Sequence, residues 1–285
     1  LAGFRQDLNK LLDALAETKA RIVLVSPIRH EKLPPPLPDP ANHNRQLEKY
    51  VAVLADVAKS RQAVTADLFH SLQSDRESSA AHPLTDNGIH LTPHGYRKAS
   101  LALERELGVA PPPWRVEISV ADPKPQASGT QVSQVAFQEN TLKFQAADEV
   151  LPSPRPPAGS GSEGKASRSL VVKGLPPGDC VLRIDGKSIV KATAKEWAEG
   201  VSLSNGPEFD QADALRTTIV EKNSQYFHRW RPQNWTYLFG FRKREQGNNA
   251  VEIPKFDPLV AELEQKIMKL RVPQPHAYQL SPANK

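Results

Sequence analysis

One cysteine, Cys180, stands among 285 residues. A single thiol excludes an internal disulfide and any metal site built on several cysteines. It leaves the compartment open, because an exported protein need not carry a disulfide. Apolar runs are short, and none reaches the roughly 18 residues of a membrane-crossing helix, so no membrane partner is expected. No repeat is visible. The complete phosphate-loop motif Gly-x-x-x-x-Gly-Lys-Ser/Thr and the metalloprotease spacing His-Glu-x-x-His are both missing. No cofactor and no metal are therefore expected. Nor is charge of one sign concentrated: 37 Lys and Arg against 32 Asp and Glu leave +5, spread along the chain, which favours solubility more than it marks an acidic partner. The chain starts at Leu1 without a charged-then-apolar signal segment, and it reads as processed or cut from a longer parent.

What is present is enough for a globular core, with 39% hydrophobic and 24% charged residues. At roughly 100–200 residues per domain, the length allows one large or two modest domains. The 26 prolines cluster and mark loops. Phe4, Leu8, Leu11, Leu12 and Leu15 form one apolar helical stripe. The run 21–26 suits a buried strand, 33–40 an extended proline loop, 47–57 a second helix, and 63–69 a second strand. Helix, strand, helix, strand implies a parallel sheet covered by helices. Thr92 before Pro93 marks a helix start, and Gly108 its stop. From Trp114 the texture changes to β-type runs: 115–120, then 132–144 with a turn at Glu139-Asn140. The runs at 170–178 and 181–190 follow, the second turning at Asp185-Gly186 as a hairpin. Residues 152–168, rich in Pro, Gly and Ser, read as a loop. Helices then close the chain, one from Pro207 with Leu215, Ile219, Tyr226 and Trp230 on one face, another capped at Asp257-Pro258. Three segments result: 1–110 α/β, 111–205 β-rich, and 206–285 helical.

The residue pattern most suggestive of chemistry is Asp86-Asn-Gly-Ile-His90, just ahead of the capped helix. A histidine there sits on a loop at the sheet's rim, where open α/β sheets bind ligands. A carboxylate close in sequence can fix its tautomer. A polar loop with a surface histidine is the plainer alternative. At these residues the sequence resembles the SGNH (GDSL-type) hydrolase family, in a planctomycete-like branch. Asn87-Gly-Ile-His-Leu-Thr-Pro-His-Gly-Tyr96 matches its last block, an Asp-x-x-His before a helix, and the runs 22–27 and 64–69 match two preceding strands. The resemblance covers about residues 1–108. It implies a flavodoxin-like three-layer α/β/α fold, here a partial SGNH domain followed by a small β unit and C-terminal helices. It implies ester hydrolysis, often of acetyl groups on sugars, by a serine nucleophile with His90 as general base, and a secreted or periplasmic location. A small-molecule or carbohydrate ester is the expected substrate, and nucleic acid is not an expected partner.

Two departures are visible. The family's acid position holds Asn87, with Asp86 one residue earlier, so either side chain is a candidate to orient His90. The Gly-Asp-Ser block that carries the nucleophile is absent, as are the Gly and Asn blocks of the oxyanion hole. Ser26 ends a strand but lacks a nucleophile's sequence context. Arg29, His30 and Glu31 follow it, and Arg29 and His30 are candidate substrate contacts at the cleft rim. The stretch 226–244 interleaves Tyr226, Phe227, Trp230, Phe239 and Phe241 with arginines. Such a surface can stack bases or sugars, or pack on a core while its arginines snorkel. It supports the alternative function, a non-catalytic binding module. Cys180 reads as a buried structural thiol.

Overall fold

The computed structural model describes every residue except 78–81, 110–112, 157–167, 232–234, 245–248 and 284–285. The interior of the expected 152–168 loop, two of the three prolines at 111–113 and the turn at Pro232 therefore lie outside the described residues. Among those described, no helix is long and apolar enough to cross a membrane. Contacts divide the chain into two units, one holding residues 1–110 and the other nearly all of 111–285.

The first unit is α/β. Helix α1 (Ala2–Ala16) precedes strand β1 (Val23–Val25), helix α2 (Ala41–Arg61), strand β2 (Val64–Ala66), helix α3 (Leu68–Glu77) and helix α4 (Pro93–Glu106). β1 and β2 pair in parallel with Val23 opposite Val64. The α1 stripe buries Leu12 against Val53 and Val57 of α2, with Phe4, Leu8 and Leu24 of β1 packed around them. A separate apolar cluster joins Leu68 and Leu72 of α3 to Ala99 and Ala102 of α4 through Leu84. The run 63–69 corrects the sequence reading. The strand stops at Ala66, and Leu68 and Phe69 already belong to α3. The cause is Asp67, whose Oδ1 accepts the His70 N–H at 3.2 Å and whose main-chain oxygen accepts from Ser71 N–H at 3.2 Å. A carboxylate at that point caps a helix and stops a strand.

The second unit is mainly β. Strands β3 (Trp114–Ser119), β4 (Asp122–Ser128), β5 (Thr130–Gln138), β6 (Thr141–Asp148), β7 (Arg168–Lys173), β8 (Asp179–Ile184) and β9 (Lys187–Thr193) come first. Helix α5 (Ala194–Glu199), strand β10 (Val201–Ser202) and helix α6 (Pro207–Trp230) follow. The short helices α7 (Trp235–Leu238) and α8 (Asn249–Glu252), helix α9 (Phe256–Leu270) and strand β11 (Pro275–Pro282) complete the chain. The strands form one sheet in the order β10-β7-β3-β4 and another in the order β5-β6-β11-β8-β9. Period-two burial makes their shared core: Trp114, Val116 and Ile118 from one sheet meet Leu142, Phe144, Cys180, Leu182, Ile184, Tyr278 and Leu280 from the other. The hairpin at Asp185-Gly186 is present, with Asp185 at φ 49°. Cys180 is buried in β8, and burial, with Asp179 beside it, pushes its thiol above the ordinary value.

Two expectations differ from the structure, and one element was not expected. The chain does not close on helices, because β11 returns to lie between β6 and β8. The segment 206–285 is therefore tied into the sheet that the preceding segment builds. Asp257 does not cap α9, which has no side-chain cap; its Oδ1 instead accepts from Arg229 Nε at 2.7 Å. Helix α5 was unforeseen, although its signal is local, a capping box between Thr193 and Glu196.

At one end of this core Arg168 is buried among charges. Its Nη1 donates to Asp148 Oδ2 at 2.5 Å and its Nη2 to Glu208 Oε1 at 3.4 Å. Trp114 Nε1 donates to the other Asp148 oxygen at 2.7 Å, and the Tyr278 hydroxyl bonds Glu208. The guanidinium also lies 4.4 Å from the Trp114 ring centre. Removing the cation leaves two carboxylates in apolar surroundings, a change that costs about 3–5 kcal/mol in buried pairs. Arg168→Ala should lower the guanidinium-induced unfolding free energy of this unit by about that amount, read by fluorescence of the buried Trp114 and Trp197. A loss under about 1 kcal/mol, the scale of an exposed pair, would contradict the network's role.

Candidate functional site

The site is built on the segment between α3 and α4. Asp86 N–H donates to the His90 carbonyl at 3.0 Å, and Thr85 bridges to Leu91, which closes residues 86–90 into a tight loop. Inside it, Asn87 Oδ1 accepts from His90 N–H at 2.9 Å and Ile89 N–H at 3.2 Å. An asparagine that mimics a backbone turn in this way fixes its own side chain. Its Nδ2 then lies 2.7 Å from His90 Nδ1. Of the two candidate partners, the side chain on the ring is Asn87. Asp86 is exposed, and its bond to His90 runs through the main chain. Gly88 carries φ +92°, a value that L side chains adopt at a cost. His90 is exposed at the loop's end.

Glu31 fixes this loop from below. Its carboxylate accepts from Leu84 N–H at 3.1 Å, Thr85 N–H at 2.7 Å and Thr85 Oγ1 at 2.6 Å. Its own N–H donates to Gly88 O at 2.8 Å. Sequence reasoning placed Glu31 at the rim without this role; the partners lie 53 and 54 residues away, and no local pattern announces them. The next brace is α4. Thr92 caps it by accepting from Gly95 N–H at 3.0 Å, and Thr92 N–H donates to Leu84 O at 2.9 Å. Gly95 packs so closely that an added Cβ would sit 1.9 Å from that same Leu84 oxygen. Ile28, Arg29, Glu31, Leu72, Leu84, Thr85 and Leu91 line a cavity of ≈ 20 Å³ beneath, room for about one water. It is too small for a substrate.

The other candidates have structural partners. His30 is bracketed by Asn44, whose Oδ1 accepts the His30 N–H and whose Nδ2 donates to the His30 carbonyl, both at 2.9 Å. Its ring stacks on His43 at 4.2 Å, and burial, then His43, hold it below the ordinary histidine value. Arg29 lies over the Phe69 ring. Ser26 is buried; its Oγ donates to Asp67 Oδ1 at 3.2 Å and accepts the Phe69 N–H at 2.9 Å. Asp67 Oδ2 meets His70 Nδ1 at 2.7 Å, so the carboxylate stands between serine and histidine. That order ties the end of β1 to α3 and sets a carboxylate, not an imidazole, against the Ser26 hydroxyl. Among the described residues no group of three His, Cys, Asp or Glu side chains is placed to hold a metal ion. In the second unit Tyr226, Phe227, Trp230, Phe239 and Phe241 are each more than half exposed.

Residues 1–98 match the model of the GDSL-like lipase/acylhydrolase family. No curated protein matches the chain. Among solved structures, one described as a gut microbial diltiazem-metabolizing enzyme superposes with a TM-score of 0.74 at 15% identity, covering 98% of this chain and 77% of that one. That likeness shows the fold.

Two outcomes test the braces. Gly95→Ala should lower the melting midpoint of the first unit, through an overpacking cost of about 1–3 kcal/mol, whereas Gly3→Ala, with open space at its Cβ, should be neutral or stabilising; circular dichroism melts separate them. The Asp67–His70 pair should make stability pH-dependent. The Asp67 bond, with Glu48 beyond it, raises His70 above 6.5; a raised base contributes fully below 6.5 and loses its contribution as pH rises through the folded value. Burial alone would push Asp67 up, but His70 and Ser26 hold it below 3.8, so its contribution is lost only as pH falls through that lowered value. The pair is therefore most stabilising between the two reference values, and stability should fall as pH climbs above 6.5 through the raised folded value. His70→Gln should flatten that slope in pH-dependent melts.

Proposed function

We propose, for a chain whose residues 1–98 match the model of the GDSL-like lipase/acylhydrolase family, that it serves the hydrolysis of a small ester, with an acetyl ester of a carbohydrate as the substrate class. The observation that carries this reading is His90, exposed on a loop that Glu31, Asn87 and Gly95 hold rigid. A group that transfers protons has to be held in place, and these contacts hold the loop that carries His90. Acyl transfer needs a group that moves a proton between the attacking oxygen and the leaving alcohol. His90 presents Nε2 for that task, because Nδ1 is engaged by Asn87.

Ser26 is not the nucleophile in this reading. Its hydroxyl is committed to Asp67 and to the Phe69 N–H, and it is buried. The sequence holds no Gly-Asp-Ser block. A second reading, binding through residues 226–244, draws on the exposure of Trp230 and Phe241 beside Arg231 and Lys243.

Hydrolysis of 4-nitrophenyl acetate and of an acetylated sugar, by the protein and its His90→Ala variant, tests the first reading. General acid–base catalysis contributes about 10²–10⁴-fold, so His90→Ala should lower kcat/KM by at least about 10²-fold. Hydrolysis unchanged by His90→Ala would overturn it. Binding of acetylated sugar that survives His90→Ala and is lost in Trp230→Ala would support the second.

A further inference from the structure

We infer that Asn87 is a positioning residue that holds the neutral His90 ring in the tautomer with its proton on Nε2, so that in the resting protein His90 donates at the very atom where a general base must accept. The inference starts from the amide. Asn87 Oδ1 takes two main-chain N–H groups, from Ile89 at 3.2 Å and His90 at 2.9 Å. Turning the amide over would aim its NH₂ at both donors, so the hydrogen bonds themselves assign its orientation. What faces the ring at 2.7 Å is then Nδ2, which carries hydrogens and no lone pair to accept with. His90 Nδ1 must accept, and the hydrogen of the neutral ring lies on Nε2. Any form of the ring with a hydrogen on Nδ1, the other neutral tautomer or the imidazolium, sets two donors against each other and breaks this bond.

A carboxylate at position 87 could keep the geometry and reverse the proton. One oxygen would take the two main-chain N–H groups, as Oδ1 does now, and the other would accept from Nδ1–H, freeing the Nε2 lone pair. In Ser-His-Asp enzymes the opposite replacement, aspartate to asparagine, leaves the geometry intact and lowers kcat about 10⁴-fold through the wrong tautomer. In this chain the brake is present from the start. The resting site is suited to an oxygen acceptor, an ester carbonyl or a carboxylate product, hydrogen-bonded to Nε2–H. The catalytic meaning of this arrangement rests on the hydrolase reading above; the proton's position does not.

The test is two-bond ¹H–¹⁵N correlation of the imidazole rings of the ¹⁵N-labelled chain near pH 8, with His90 assigned by its loss in His90→Gln. The expected result is a pyridine-type shift at His90 Nδ1 and a pyrrole-type shift at Nε2, exchanged in Asn87→Asp. A pyrrole-type Nδ1 in the unmodified chain overturns the inference, and so does an Asn87→Asp spectrum identical to it. If Asn87→Asp fails to fold, the spectrum of the unmodified chain still decides. Asn87→Asp should raise 4-nitrophenyl acetate hydrolysis about tenfold, the effect of the one Asn87–His90 hydrogen bond that the unmodified chain must break. The expected tautomer with no hydrolysis by either protein would remove the hydrolase reading and leave Asn87's role standing. Hydrolysis dependent on His90 with Nδ1 protonated would do the reverse.

Discussion

Glu31 supplies one carboxylate, and three donors from Leu84 and Thr85 end on it. The rest of the site is arranged by that convergence. Leu84 is the pivot: its N–H is taken by Glu31, and its oxygen takes Thr92 N–H and leaves no room for a side chain on Gly95. The start of α4 is thereby set against the loop, the loop against the segment after β1, and His90 against the rim. Buried main-chain N–H groups left without acceptors cost about 1–3 kcal/mol each, so the loop and the carboxylate hold each other. The rigidity of the histidine is a by-product of satisfying Leu84 and Thr85, and Asn87 then decides which ring nitrogen carries the proton.

The second unit obeys a comparable constraint in a different place. Its two sheets share an apolar core laid down by period-two burial, and Arg168 closes one end of it with Asp148, Glu208, Tyr278 and Trp114. Five elements, β3, β6, β7, β11 and α6, meet in that network. A side-chain cluster of this kind specifies which strands come together, since a mispaired strand would leave a charge buried without its partner.

The legible parts of the fold were those whose cause is local. The Phe4–Leu8–Leu12 stripe, the Thr92-Pro93 start of α4, the Gly108 stop and the Asp185-Gly186 hairpin each carry their reason within a few residues, whereas Leu11 and Leu15 of the expected stripe are exposed. What escaped has its cause far away in sequence or in a competing local rule. β11 reads as an unremarkable polar run, His276 to Ser281, until β6 and β8 supply ladders on both sides. β4 hides behind Pro123 and Pro125, tolerable because it is an edge strand. Leu68 and Phe69 look like the end of a strand, and Asp67 turns them into a helix. At the site, the spacing of Asn87 and His90 was visible and the choice between Asp86 and Asn87 was not, because it depends on which side chain folds back onto the loop's own N–H groups. Glu31 could not be singled out from sequence, its partners being 53 and 54 residues distant.

Glu31 preorganises the loop that bears His90. Amide hydrogen exchange resolved by residue tests it most directly, comparing the chain with its Glu31→Ala variant. Exchange should be slow at Leu84, Thr85 and His90 and be released at all three together in the variant, while β1 and α2 stay protected. Fast exchange at these amides in the unmodified chain, or protection that survives Glu31→Ala, would contradict it.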